Sequence, residues 1–126
     1  MKSDRLLIDS SGWIEFFTDG PLAKDYARHI RNPSKIVTPT IVLYEVYKKI
    51  KRERTEAEAL AAVAALNRTV VVDLNESVAL LAADLSIRHA LPMADAIVYA
   101  SALESNCRVV TGDAHFRGLE GVFFIS

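Results

Sequence analysis

The chain has little cysteine, glycine or proline, no long apolar run and no excess of charge of either sign. With one cysteine (Cys107) in 126 residues, no internal disulfide can form, and nothing points to an oxidising compartment. Five Gly and 4 Pro residues are too few for a low-complexity chain. No run approaches the roughly 20 apolar residues of a membrane span, and the first apolar run is too short for a signal peptide. We therefore expect a cytoplasmic protein that makes no use of a membrane.

The composition predicts one globular domain over residues 1–126. The chain is 51% hydrophobic and 25% charged, which is typical of a folded domain with a proper core. Its formal net charge of −1 does not indicate nucleic-acid binding. Any such binding must come from a local basic patch.

Short β-rich runs alternate with longer helical runs along the chain. Strands are predicted at 5–9, 36–38, 70–74, 108–111 and 122–125. Helices are predicted at 13–18, 21–31, 40–54, 55–67, 75–90 and 93–106, with a helical turn at 115–119. The predicted helix caps are Ser11, Thr40, Thr55 (with Glu58 three residues on) and Asn75. Because helices separate the strands, we expect an α/β fold with a largely parallel sheet covered by helices on both faces.

Four acidic residues fall where such a fold places ligands. Asp9 ends the first strand and Asp113 follows the fourth, so both point to the carboxyl edge of the sheet if these strands are neighbours. Asp95 lies in the first turn of a helix and is surrounded by apolar residues. Glu45 lies in the second turn of its helix, about 150° from the centre of the apolar stripe. The four side chains come from four different elements.

Clustered carboxylates repel one another unless a cation is present. Mg²⁺ and Mn²⁺ fit this set because they prefer oxygen ligands and keep several waters. A metal held in this way lowers the pKa of a bound water and stabilises the oxygens of a phosphate under attack. Each acid taken alone also has a structural alternative. Asp9 could cap a helix, Glu45 could be a solvated helix residue, Asp95 could complement a helix dipole, and Asp113 could belong to a turn.

Four segments stand out in chain order, namely LIDSSGWI at 7–14, YEV at 44–46, LPMADA at 91–96 and TGDAHF at 111–116. They resemble the motifs of PIN-domain nucleases, and the length of the chain resembles that of VapC-type toxins of toxin–antitoxin pairs. Each is weak alone, but four in order span nearly the whole chain. Ser10 and Gly12 depart from the Thr and the apolar residue expected at their positions.

The resemblance implies a PIN-like three-layer α/β/α fold with a central, largely parallel sheet of about five strands. It also implies a Mg²⁺- or Mn²⁺-dependent endoribonuclease that cleaves RNA, single-stranded or structured, with tRNA among the candidates. Asp9, Glu45, Asp95 and Asp113 carry over as catalytic and metal-binding acids, and Ser11 and Thr111 as hydroxyls that orient them. A homodimer and a cognate VapB-type antitoxin are the implied protein partners.

A basic run follows Glu45 on the same helix. Lys48, Lys49 and Arg52 lie three, four and seven residues after it and so share its face. They are candidates for binding RNA phosphates, and the alternative is a solvated face paired with Glu53 and Glu56.

Three other functional classes fit parts of the pattern. A free-standing RNA-processing PIN nuclease would carry the same site. A non-catalytic PIN-like binding module would have lost an acid, and all four are present. A receiver-like signalling domain needs a phospho-accepting Asp, for which Asp73 is the candidate, and a Lys after the last strand, where none stands.

Overall fold

Strands and helices alternate through the computed structural model, which describes residues 4–126; the first three residues of the predicted 1–126 domain lie outside this range. The strands are β1 (Leu6–Ile8), β2 (Val37–Pro39), β3 (Val70–Val72), β4 (Arg108–Thr111) and β5 (Val122–Phe124). The helices are α1 (Ser10–Phe17), α2 (Ala23–Ala27), α3 (Thr40–Glu53), α4 (Glu56–Leu66), α5 (Glu76–His89) and α6 (Met93–Glu104). Short 3-10 turns occupy Pro33–Lys35 and Ala114–Phe116.

All the strand pairs are parallel, as the alternating pattern predicts. One ladder has the order β1-β4-β5 and the other pairs β2 with β3. A single parallel bridge between Leu6 and Ile36 joins the two ladders. The five predicted strands therefore form an α/β/α arrangement in which β1 and β4 lie side by side at the centre.

The central strands and helix α6 are the most deeply buried elements. Leu7, Ile8, Val109 and Val110 are all 0% exposed, so both faces of β1 and β4 are covered. Helix α6 is buried without interruption from Ala96 to Ala102. A helix that is apolar all round is a core helix. Asp95 directly precedes this buried stretch, so its backbone is anchored to a core helix.

Helix α1 begins earlier than predicted. The sequence indicates a turn at 10–12 and a cap at Ser11, whereas Ser10 is already helical and Asp9 is the N-cap. The carboxylate of Asp9 accepts a hydrogen bond from the Gly12 backbone N–H at 3.0 Å, which satisfies a donor of the first turn. Placing the cap at Asp9 brings the helix N-terminus to the carboxyl edge of the sheet.

Several other boundaries differ from the predictions. Helix α2 covers only Ala23–Ala27 of the predicted 21–31. Thr40 is the first helical residue of α3 and not its cap, since Pro39 takes that place. The predicted caps Thr55 and Asn75 are confirmed, because their side chains accept the N–H groups of Glu58 and Val78. Over residues 4–126, no helix combines the length and apolar character needed to cross a membrane.

Candidate active site

Asp9 and Asp113 lie at the same edge of the sheet because their strands are neighbours. The β1–β4 register pairs Ile8 with Val110, so the residues that follow both strands leave the sheet together. This adjacency is the condition under which the sequence predicts a shared edge, and the structure provides it. Burial raises the pKa of Asp9, and the charge of Asp113 adds to that rise.

Asp9 is a buried carboxylate held by three donors. It is 6% exposed. Its Oδ1 accepts the Gly12 N–H at 3.0 Å, and its Oδ2 accepts the hydroxyls of Ser11 at 2.9 Å and Thr111 at 2.5 Å. These hydrogen bonds oppose the rise in pKa that burial causes. A carboxylate has about four acceptor positions, so these donors leave one for a cation or a water.

Thr111 links Asp9 to Asp113. It is 0% exposed, and its hydroxyl, besides donating to Asp9, accepts the backbone N–H of Asp113 at 2.9 Å. Ser11 is exposed and donates to the same oxygen of Asp9. Both predicted hydroxyls therefore orient Asp9, and one of them also fixes the backbone of Asp113.

Asp95, Asp113 and His115 form a compact titratable group. His115 Nδ1 lies 3.1 Å from Asp95 Oδ2 and 2.9 Å from Asp113 Oδ1. One ligand atom from each residue can be chosen so that all three lie within 4.8 Å of one another. Burial, followed by the charge of Asp113, raises the pKa of Asp95 to about 7. Two carboxylates with an imidazole between them are a donor set that fits a divalent cation.

Glu45 joins the site from helix α3. Ser10 donates its hydroxyl to Glu45 Oε1 at 3.0 Å, which connects the first turn of α1 to α3. After burial and the charge of Asp113, the charge of Glu45 also contributes to the raised pKa of Asp95. Among the described residues, neither Glu45 nor Asp9 belongs to the compact group. The four predicted acids thus share one region, with Asp95 and Asp113 close together and the other two held by hydroxyl groups.

The structural alternatives for the acids hold alongside this arrangement. Asp9 caps α1, Asp113 caps the 3-10 turn by accepting the His115 N–H at 2.9 Å, and Asp95 stands in the first turn of α6. Capping aims a carboxylate at a helix N-terminus, where its charge is favoured. These capping roles explain how each acid is held in place. They do not explain why the acids converge on one edge of the sheet.

An open groove of about 590 Å³ runs from the first turn of α1 along α3. Its lining includes Ser10, Ser11 and Glu45 together with the predicted phosphate-binding residues Lys48, Lys49 and Arg52. Glu53 pairs with Lys49 at 3.5 Å and with Arg52 at 3.3 Å, whereas Glu56 pairs at 3.8 Å with Lys51, which does not line the groove. All of these side chains are exposed, and such pairs are weak. The structure therefore contains both the groove and the paired face that the sequence left as alternatives.

A PIN-domain family model matches residues 6–122. This chain belongs to the PIN domain family. The match covers most of the chain and includes all four predicted acids, and it excludes the receiver-like alternative for the fold. A search of curated proteins gives no significant match.

Solved structures with the same fold include several from toxin–antitoxin systems. A Klebsiella pneumoniae toxin–antitoxin complex matches with a TM-score of 0.79 at 22% identity, covering 95% of this chain and 99% of that one. DNA-bound VapBC from Salmonella typhimurium matches with a TM-score of 0.76 at 18% identity, covering 99% of this chain and 98% of that one. Mycobacterium tuberculosis VapC20, described as a sarcin–ricin-loop-cleaving toxin, matches with a TM-score of 0.72 at 16% identity, covering 96% of this chain and 89% of that one. At these identities the likeness shows the PIN fold.

Two residues that depart from the family pattern have structural reasons. Ser10, in place of Thr, still supplies the hydroxyl that contacts Glu45. A Cβ at position 12 would lie 2.7 Å from Tyr26 Cδ1 and closer still to Cε1, so the buried Tyr26 ring fills the space that a larger residue would need. Burial, and then the charge of Asp9, raises the pKa of Tyr26 to about 12. Gly12 thus lets an aromatic ring pack beneath the first motif of this PIN domain.

His115, which is not among the predicted site residues, contacts both acids. The signal is its position two residues after Asp113, but its distance from Asp95 depends on how α6 packs beside β4. Among the aromatic residues near the first motif, Trp13 is buried in the core, and Phe16 and Phe17 are partly buried against it. Trp13 is 2% exposed, and its ring stacks on Phe17 at a centroid distance of 5.6 Å.

Proposed function

We propose that this PIN domain is a metal-dependent endoribonuclease and the toxin of a VapBC-type pair, formed as a single domain by the 126 residues. The observation that carries the proposal is the compact Asp95–Asp113–His115 group, which lies at the sheet edge where buried Asp9 is fixed by three donors. A buried acid and a group of clustered carboxylates are costly without a partner cation. Such an arrangement is typical of a metal site that acts on phosphodiesters.

The similar structures support the choice of substrate and system. VapC20 of M. tuberculosis is described as cleaving the sarcin–ricin loop, which supports RNA as the substrate here. The Klebsiella and Salmonella matches are to a toxin–antitoxin complex and to VapBC, which supports a VapB-type antitoxin as the partner of this chain.

Asp9, Glu45, Asp95 and Asp113 are proposed as the catalytic and metal-binding acids, with His115 as an additional donor. Mg²⁺ or Mn²⁺ bound there would lower the pKa of the attacking water and offset the developing charge on the phosphate. Ser11 and Thr111 hold Asp9 in one orientation, so its free acceptor position points in a fixed direction. Lys48, Lys49 and Arg52 bind the RNA phosphates along the groove.

Location and oligomeric state are further parts of the proposal. We propose a cytoplasmic homodimer, as the family resemblance implies. Light scattering of the purified protein measures the oligomeric state.

The test of the nuclease proposal is RNA cleavage by the wild type and by Asp9→Asn, with Mg²⁺, with Mn²⁺ and with EDTA. We expect cleavage by the wild type with either metal, and none in EDTA or by the variant. The matched control is Asp84→Asn, because Asp84 is exposed on α5 outside the site. Equal cleavage by the wild type and Asp9→Asn would remove the proposed mechanism. A small open reading frame directly upstream would favour a toxin over a free-standing RNA-processing nuclease.

A further inference from the structure

Tyr44 is an exposed aromatic residue in the wall of the basic groove. It directly precedes Glu45 on α3, and its residue is 57% exposed. The groove that it lines also contains Lys48, Lys49 and Arg52. Large aromatic side chains contribute strongly when they are covered by a partner. An aromatic residue left open beside cations therefore suggests a ligand that carries both flat rings and negative charge.

Lys48 leaves much of the Tyr44 ring face uncovered. The Lys48 ammonium donates to the Tyr44 hydroxyl at 3.2 Å, while it lies 5.3 Å from the ring centroid. The ammonium is thus closer to the hydroxyl edge than to the centre of the ring. It is placed to contact a phosphate next to a planar group that lies on the ring.

The groove residues follow one another along α3. Tyr44, Lys48 and Arg52 are spaced by four residues, so they form a row about 12 Å long that leads away from Glu45. Glu53, which pairs with Lys49 and Arg52, is itself exposed, and exposed pairs exchange readily for a phosphate. An aromatic platform in line with cations is how proteins bind single-stranded nucleic acid without reading its sequence.

We propose that Tyr44 stacks on an unpaired base of single-stranded RNA while Lys48, Lys49 and Arg52 hold the adjacent phosphates. The proposal rests on the proposed ribonuclease function and adds the form of RNA that the groove accepts. Bases inside an A-form duplex are stacked on one another and offer no free face, so the platform selects unpaired segments. Tyr44 is a substrate-positioning residue: by holding one base, it fixes the position of the RNA strand relative to Glu45.

The test is equilibrium binding of a single-stranded RNA 12-mer and of the matching duplex, in EDTA to prevent cleavage, at several salt concentrations. The proteins are the wild type, Tyr44→Ala, Tyr44→Phe, Tyr44→Leu and the triple variant Lys48→Ala/Lys49→Ala/Arg52→Ala. Stacking on an aromatic side chain is worth about 1–3 kcal/mol per base, so Tyr44→Ala should weaken single-strand binding roughly 5- to 150-fold. Far-ultraviolet circular dichroism confirms that each variant is folded.

The variants separate stacking from other roles. Tyr44→Phe should bind nearly as well as the wild type because it keeps the ring, and Tyr44→Leu should be as weak as Tyr44→Ala. The salt dependence should remain steep in the Tyr44 variants and become flatter in the triple variant, which loses phosphate contacts. Duplex binding should not change in Tyr44→Ala.

Two results would overturn the stacking proposal while leaving the ribonuclease proposal intact. The first is wild-type RNA binding and cleavage that Tyr44→Ala leaves unchanged. The second is a loss of RNA affinity in Tyr44→Phe equal to that in Tyr44→Ala. The Tyr44 hydroxyl, and not the ring, would then be what matters, and it would act by positioning Lys48. A wild type that neither binds nor cleaves RNA with Mg²⁺ or Mn²⁺ would refute both proposals.

Discussion

Asp95→Asn is expected to stabilise the metal-free protein, and the gain should grow with pH. Burial and the charge of Asp113 raise the pKa of Asp95 from an ordinary 3.8 to about 7. Between these values the folded protein keeps a proton that the unfolded chain has lost. The free energy of unfolding of the wild type therefore falls as the pH rises from about 4 to 7, and levels off above that. An asparagine side chain at this position has no charge to lose.

The size of the effect follows from the gap between the two pKa values. A gap of roughly three units corresponds to about 4 kcal/mol when Asp95 is fully ionised in the folded state. The Asp95 side chain is 20% exposed, and His115 beside it is 55% exposed. Because solvent and movement of these side chains screen the repulsion, we expect to measure about half, or about 2 kcal/mol. The amide group that Asp95→Asn introduces can also donate to the Asp113 carboxylate.

The assay is urea unfolding in EDTA at about pH 5, 6, 7 and 8, with Asp84→Asn as the control. Asp84 is exposed on α5, so its variant should differ from the wild type by less than about 0.5 kcal/mol throughout. Mg²⁺ at pH 8 should stabilise the wild type more than Asp95→Asn, since binding to the folded state alone raises its stability. A gap between Asp95→Asn and the wild type that is the same at pH 5 and pH 8 would refute the reasoning. So would a less stable variant at pH 8.

Three further substitutions test how the site is supported. Thr111→Val removes the hydroxyl that donates to Asp9 and accepts from Asp113, so we expect a loss of about 2–3 kcal/mol in urea unfolding together with weaker RNA cleavage. Thr111→Ser keeps the hydroxyl, so its free energy of unfolding should fall by only about 1 kcal/mol. Equal losses in Thr111→Val and Thr111→Ser would contradict a role for the hydroxyl. Gly12→Ala places a Cβ against the Tyr26 ring, so we expect the free energy of unfolding to fall by about 1–3 kcal/mol. Adding Tyr26→Leu to this variant should restore part of that loss. A Gly12→Ala variant as stable as the wild type would show that the ring moves freely. His115→Ala should weaken Ni²⁺ binding, measured by calorimetry, by roughly tenfold and Mg²⁺ binding by less, because imidazole favours the later transition metals. Unchanged affinity for both ions would show that His115 is not part of the metal site.

The sequence predicts the residues that follow strands far better than it predicts contacts between elements. Asp9 and Asp113 could be placed at strand ends from the sequence, because parallel strands separated by helices end on the same side, but the pairing of β1 with β4 that brings them together could not. The hydrogen bond between Ser10 and Glu45 joins residues 35 positions apart. It depends on how α1 packs against α3, and neither helix carries that information by itself.

The wrong boundaries near the first motif have one local cause. Propensity favours Ser11 as a cap, because the apolar pattern begins only at Trp13. In the structure, the Asp9 carboxylate takes the Gly12 N–H, and Tyr26 requires a residue without a side chain at position 12. The Asp9 cap therefore decides where the helix starts, and Tyr26 accounts only for the glycine at position 12, a contact that cannot be seen in the pattern of residues 9–13.

The two halves of the site are held in different ways, and this difference explains why a cation suits it. Asp9 is fixed by donors from α1 and β4, so its position does not depend on any bound ion. Asp95 and Asp113 are held close together although their charges oppose each other, and His115 Nδ1 lies between them, 3.1 Å from Asp95 and 2.9 Å from Asp113. Loss of a proton from Asp95 makes this half unstable by itself. A divalent ion would reverse that repulsion while the rigid half keeps its free acceptor position aimed at the same place.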